Sequence, residues 1–171
     1  SAASDVYKRQ VEHAYKVGRY LGWYYSQNGK AKVVIGKDTR RSSYMFEYAL
    51  VSGLTASGAD VYLLHVTTTP SVSYVVTSEE FDCGIMISAS HNPYYDNGIK
   101  ILDGNGHKMD AGVENLIEQY IDGLIDELPY ATKDEIGCAL DYSIGRNRYI
   151  GYLMSICLLY TSDAADERSS V

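Results

Sequence analysis

Runs of positive charge are missing from this chain. Its 15 Lys and Arg are outnumbered by 22 Asp and Glu, for a net charge of −7, and nowhere do Lys or Arg cluster. An acidic chain of this kind argues against nucleic acid or an anionic membrane as partner. Any phosphate it handles must be met by a few placed cations. Long apolar runs are missing too, since none approaches the roughly 20 residues of a membrane-spanning helix. No signal-peptide pattern is visible, and the expected compartment is cytoplasmic. Cysteine is scarce, at 3 residues. Cys83 sits in an apolar strand pattern, which favours a small buried hydrophobe over a disulfide partner or a ligand. There is no internal repeat and no low-complexity linker.

Both ends are expected to be foreign to the fold. Codons can be chosen for Ser1 to Gln10 whose reverse complement reads, in another frame, as Cys157 to Ala165. That relation suggests translated adapter flanking an insert. On this reading 1–10 and 157–171 are non-native tails, set aside from fold reasoning. Residues 11–140 form one domain, and 141–156 form an exit helix toward a second. The stretch 11–156 is long enough for a core of its own, and it stays acidic once the tails are removed.

Periodicity then gives the elements. Val11, Ala14, Tyr15, Val17, Leu21 and Tyr25 recur at helical spacing up to about Gln27, and Asn28-Gly29 closes that helix. The tyrosines of this stripe, Tyr15, Tyr20, Tyr24 and Tyr25, read as core and helix surface rather than a stacking platform. Lys32 to Gly36 is a buried strand. Ser42 and Ser43 offer an N-cap for a helix ending at Ser57-Gly58. Asp60 to His65 is a strand. Thr67-Thr68-Thr69-Pro70 enters a helix with proline in its first turn, running to about Thr77. Phe81 to Ser88 and Gly98 to Leu102 are strands, and a tight turn over Asp103 to Gly106 closes the second of them. Ala111 to Leu128 is amphipathic and ends at Pro129, and a last helix spans Tyr142 to Ile156. Alternating β and α elements predict a three-layer α/β/α domain with a mixed sheet.

The most informative stretch comes after the strand ending at Ser88. A serine at such a turn is most often a turn former or a helix cap. Here Ser90 is followed by His91, which can move a proton near neutral pH. Next comes Asn92, which Pro93 restricts to extended backbone. Asn97-Gly98 makes a turn, and Lys100 returns on the next strand. A hydroxyl on a stiffened loop with a proton acceptor and a fixed cation suits phosphoryl transfer, where catalysis is mostly positioning and charge neutralisation. His91 reads equally well as a structural histidine. Lys100 can be a solvated strand lysine, a point charge near a phosphate being the other reading. Gly36-Lys37-Asp38-Thr39-Arg40 lies between a strand and a helix, which puts Asp38 and Arg40 on the same strand-end face. Arg41 reads as a surface charge.

From Ile87 to Lys100 the wording Ile-Ser-Ala-Ser-His-Asn-Pro-Tyr-Tyr-Asp-Asn-Gly-Ile-Lys resembles the phosphoserine loop of the α-D-phosphohexomutases. Within that superfamily it is most similar to the bacterial branch acting on glucosamine phosphates. The Gly36–Arg40 and Thr67–Pro70 patterns match the same family. The likeness runs from Val11 to about Asp134, and more weakly through Arg148-Tyr149-Ile150. It implies domain one of such an enzyme, N-terminally truncated, with Ser90 as the phosphoryl carrier. His91 and Lys100 would be its catalytic neighbours, and Arg40, Asp38 and Asn92 the scaffold of the site. It further implies a phosphosugar substrate, and Mg²⁺ bound to the chain through the phosphate on Ser90, with the other metal ligands in a missing domain. The implied reaction interconverts glucosamine 6-phosphate and glucosamine 1-phosphate through a bisphosphate. Mannose or glucose phosphates are the alternative, and a non-catalytic phosphate-binding or interaction module is a second. The full-length parent can be read as a homodimer. The family's N-terminal arginine segment, metal loop, sugar-recognition loop and C-terminal phosphate loop have no counterpart here, so the chain alone is expected to be inactive.

Overall fold

The computed structural model describes residues 2–88 and 98–168, with the backbone alone at 2–7 and 166–168. Five strands form one sheet: β1 (Lys32–Lys37), β2 (Asp60–Val66), β3 (Cys83–Ile87), β4 (Ile99–Asp103) and β5 (Ala139–Asp141). Their order is β4-β3-β1-β2-β5. β1 runs parallel to β2 and β3, and β2 parallel to β5, whereas β4 is antiparallel to β3. A central strand covered on both faces needs apolar side chains at successive positions, and Val33-Val34-Ile35 supplies them, each fully buried.

Strand alternation sorts the core into two layers. Val33, Ile35, Ile85 and Ile101 face α1 (Ala2–Tyr25), α2 (Arg41–Ala56) and α4 (Ala111–Ile121), meeting Leu21, Leu50 and Ile117 there. Val34, Leu64, Met86 and Leu102 face the other way, onto Val72, Val75 and Val76 of α3 (Thr69–Ser78). Beside α3 on this face lies α5 (Ser143–Arg168), whose start packs on β2 and whose Tyr152 stacks on Tyr74 with ring centroids 4.8 Å apart. The result is the expected three-layer α/β/α architecture with a mixed sheet. Helices α1 and α2 cross with their backbones in contact: a Cβ on Gly53 would stand 2.2 Å from the Tyr15 carbonyl oxygen.

Four local features differ from the sequence expectation. α1 extends back to Ala2, although the first buried side chain described in it is Ala14. α5 continues to Arg168, but every side chain from 157 to 165 is exposed. α4 stops at Ile121, one turn and more before Pro129. Its end is a Schellman motif with Gly123 at φ 74°, where Leu124 N donates to Gln119 O (2.9 Å) and Gly123 N to Tyr120 O (3.2 Å). The short edge strand β5 is fully exposed and carries no apolar alternation. It is held by pairing with β2 and by the Cys138 amide, which donates to Asp60 Oδ1 at 2.9 Å.

Candidate active site

The chain path locates the site. From β1 the chain passes through α2 to β2 on one side, then crosses back through α3 to β3 on the other. The chain therefore goes from β1 toward β2 but from β3 toward β4 on the opposite side, which makes the carboxyl ends of β1 and β3 the switch point of the sheet. In open α/β sheets ligands bind at such a switch point. Both motifs singled out in the sequence start there: Asp38-Thr39-Arg40 follows β1, and Ser88-Ala89-Ser90 follows β3.

The two strand ends are tied together. Lys37 pairs with Ile87, and the Asp38 amide donates to the Ile87 carbonyl at 2.8 Å. On its far side β3 is closed against β4, with Ser88 N donating to Gly98 O at 2.6 Å. The segment between them, including Ser90, His91 and Asn92, lies outside the described residues. What is described is its frame: β3 flanked by the Asp38–Arg40 turn on one side and by β4 on the other.

That turn is held by its own side chains. Asp38 Oδ1 accepts from the Arg40 amide at 3.1 Å, and Oδ2 lies 3.8 Å from Arg40 Nε. Ser43 Oγ reaches back to the carbonyl oxygens of Asp38 (3.1 Å) and Arg40 (2.6 Å). Ser43 therefore acts inside the first turn of α2, while Arg40 occupies the N-cap position with no side-chain capping bond. This corrects the expected cap at Ser42 or Ser43. Arg40 is 45% exposed, so its guanidinium is open to solvent just beyond the carboxyl end of β1. Arg41 is exposed, as a surface charge should be.

Lys100 is exposed on the edge strand β4, opposite Met86. It shares its face of the sheet with Leu102, the α3 side. The structure thus joins Asp38 and Arg40 in one turn and sets Lys100 beyond β3, so the two motifs flank the strand that carries Ser88. Thr68 has the structural role expected of it, accepting from Ser71 N as the N-cap of α3.

Two residues of this region escaped the sequence reading. Lys37 Nζ lies 2.8 Å from Glu47 Oε1 on α2, and both side chains are buried. Their signal was present: Ser43, Glu47, Leu50 and Leu54 follow the buried stripe of α2 at steps of four, three and four. A charged residue on a buried stripe is almost always paired. At β2 the register with β1 slips between Ile35 and Gly36, which leaves His65 at φ 63°. His65 Nε2 lies 3.1 Å from Asp141 Oδ1. The Ser143 amide and then His65 hold the Asp141 carboxyl below its ordinary value. Burial pushes the Cys83 thiol well up, as fits a packing residue. Among the described residues no group of three or more His, Cys, Asp or Glu could hold a metal ion. Mg²⁺ therefore finds no protein ligand set in the described part of this chain.

Comparison with known proteins agrees with this architecture. Residues 4–126 match the family model described as phosphoglucomutase/phosphomannomutase, alpha/beta/alpha domain I. A phosphoglucosamine mutase of Lachnospira eligens is 69% identical over 151 residues, covering 86% of this chain and 34% of that protein. One from Lachnoclostridium phytofermentans is 73% identical over 146 residues, covering 85% and 33%. The chain thus spans about a third of the length of these relatives. Among solved structures, a phosphoglucomutase/phosphomannomutase family protein of Burkholderia thailandensis superposes with a TM-score of 0.62 at 26% identity, over 82% of this chain and 31% of the other. By fold and by these matches, the chain belongs to the phosphoglucomutase/phosphomannomutase family, as its α/β/α domain I.

Proposed function

We propose that the full-length protein carrying this chain is a phosphosugar mutase that interconverts glucosamine 6-phosphate and glucosamine 1-phosphate, with Ser90 as the phosphoryl carrier. The observation that supports this reading is the junction of β1 and β3, whose carboxyl ends are tied by the Asp38–Ile87 bond, beside the Asp38–Arg40 turn and just before Ser88. The identity of about 70% to proteins named phosphoglucosamine mutase supports the choice of sugar.

In the first step a sugar hydroxyl attacks the phosphorus on Ser90. The new sugar O–P bond forms as the Ser90 Oγ–P bond breaks, and the hydroxyl proton passes to a base, for which His91 is the candidate in this chain. The product is a bisphosphate. After it turns over in the site, Ser90 Oγ attacks the other phosphorus. That sugar O–P bond breaks, and the proton returns to the freed sugar oxygen. The exposed Arg40 after β1 and Lys100 on β4 are cations of this chain available to offset phosphate charge, the larger part of catalysis in such transfers. Magnesium would be held through the Ser90 phosphate, with its other ligands outside this chain, and would act there as a Lewis acid.

Assay of the full-length protein against glucosamine, glucose and mannose phosphates tests the reading. Glucosamine phosphate should be the preferred substrate, and a preference for mannose phosphate would overturn the assignment of the sugar. Peptide mapping should find the phosphoryl group on Ser90, and Ser90→Ala should abolish turnover with the fold intact. Phosphate on Ser88 instead would refute the choice of carrier. The protein is expected to work in the cytoplasm. The chain by itself should turn over no phosphosugar, because the described residues hold no metal-ligand group to neutralise a transferring phosphoryl.

A further inference from the structure

A buried ion pair sits directly behind the Asp38–Arg40 turn, and stability gives a poor account of it. Lys37 and Glu47 are each 2% exposed. Desolvating two such charges costs several kcal/mol per ion, so a hydrophobic pair of similar volume is often as stable or more so. The pair is not even fully satisfied. Among the described residues Glu47 Oε2 has no hydrogen-bond partner, and the other neighbour of the lysine is the half-exposed Tyr44 ring, 3.7 Å from Nζ.

Its location is informative. Lys37 is the last residue of the central strand, and its carbonyl accepts from the Thr67 amide at 2.9 Å. The next amide, that of Asp38, is the one bonded to Ile87 at the end of β3. Glu47 lies in the second turn of α2, and the helix begins at the Arg40 cap. The pair therefore bridges the base of the turn, from strand to helix, while Asp38, Arg40 and Ser43 fasten the turn internally. On the opposite face of β1 there is no slack. A Cβ on Gly36 would meet Thr67 Cγ2 at 2.6 Å and Val72 Cγ2 at 2.7 Å.

The geometry points to Lys37 and Glu47 as positioning residues for phosphoryl transfer: their buried pair clamps β1 to α2, fixing Arg40 beside the exit of β3, and it adds no net charge at the switch point. This rests on the phosphosugar mutase reading. A paired lysine of this kind orients a neighbour. It does not bind phosphate, so its loss should reduce the chemical step more than substrate affinity.

The test uses Lys37→Met/Glu47→Leu in the full-length protein, with Lys37→Met/Glu47→Gln as a second variant and Ser90→Ala beside them. The clamp predicts folded double variants with kcat lowered about 10- to 100-fold, the scale of a misplacement near 1 Å, and KM changed less than about threefold. A folded double variant with wild-type kcat would overturn it. So would unfolding of both doubles, which would make the pair a scaffold element, or a rise in KM at unchanged kcat, which would make Lys37 a phosphate ligand. Turnover surviving in Ser90→Ala would bring down the mutase reading and the clamp together. An inactive Ser90→Ala beside fully active double variants would refute the clamp alone.

Discussion

Replacing Arg19 with alanine should be among the most damaging single changes to the fold. Its side chain is fully buried within α1. The guanidinium donates to Ser57 Oγ and to the Leu128 carbonyl at 2.5 Å each, and to the Pro129 carbonyl at 3.3 Å. The Tyr130 ring covers it, with its centroid 3.7 Å from Cζ. It thereby staples the end of α2 and the segment after α4 onto α1. A hydrogen bond to a charged group contributes about 1.5–3 kcal/mol, and two of these are short. The contact to Glu127 adds little, since that carboxylate is 63% exposed. Relief from burying the charge offsets part of the loss, and the freed carbonyls near the surface regain some water. The expected loss is about 3 kcal/mol, within the range for breaking a buried charged network. For a chain of this size that lowers Tm by about 6–12 °C. Thermal unfolding followed by circular dichroism would measure it. Arg19→Lys should recover less than half, because an ammonium cannot serve Ser57 and Leu128 in one fork geometry. A loss under about 1 kcal/mol, or full recovery with lysine, would refute the network argument.

Acid stability offers a second check. The Tyr120 hydroxyl, 2.5 Å from Glu127 Oε1, is the main cause holding that carboxyl below its ordinary 4.5, with Arg19 assisting. Stability from a depressed carboxyl is complete above the unfolded value and is lost as pH falls through the folded one. Tyr120→Phe should therefore cost most near neutrality and little well below 4.5, read as urea midpoints across that range; a penalty independent of pH would contradict it. Removing 157–171 should change Tm by less than about 3 °C, since the side chains described there are all exposed. A larger drop in the truncated chain would mean that the segment supports the domain.

Most of the architecture was legible because it is written in burial patterns that repeat. Val33-Val34-Ile35 could only be a strand covered on both faces, and Val113, Ile117 and Tyr120 fixed the buried side of α4. The carboxyl ends of β1 and β3, where the two motifs begin, fall at one end of the sheet because the strands run in the same direction. What stayed hidden depends on partners distant in sequence. β5 has no pattern of its own, and its residues become a strand only because Val61 and Leu63 present an open edge. The end of α4 was assigned to Pro129 although Asp122-Gly123 carries the stop, since glycine alone takes the left-handed turn there without penalty. Arg19 and Lys37 look like surface charges until the elements are assembled, and Glu47 is marked only by its place on the buried stripe of α2. Their partners lie 38, 10 and more than 100 positions away along the chain.

The antiparallel β4 shapes how this family can diversify. Because it runs against its neighbour, the chain that leaves the sheet at Ser88 rejoins it at Gly98 across a single hydrogen bond. A connection anchored this way is a replaceable cassette. Doubling its length costs only about 0.6 kcal/mol in closure entropy, and neither flanking strand has to change register. The links between the parallel strands have no such freedom, since each must return to the opposite end of the sheet, here through α2 or α3. Ser88 and Gly98 can therefore keep their places in the sheet whatever length of chain joins them.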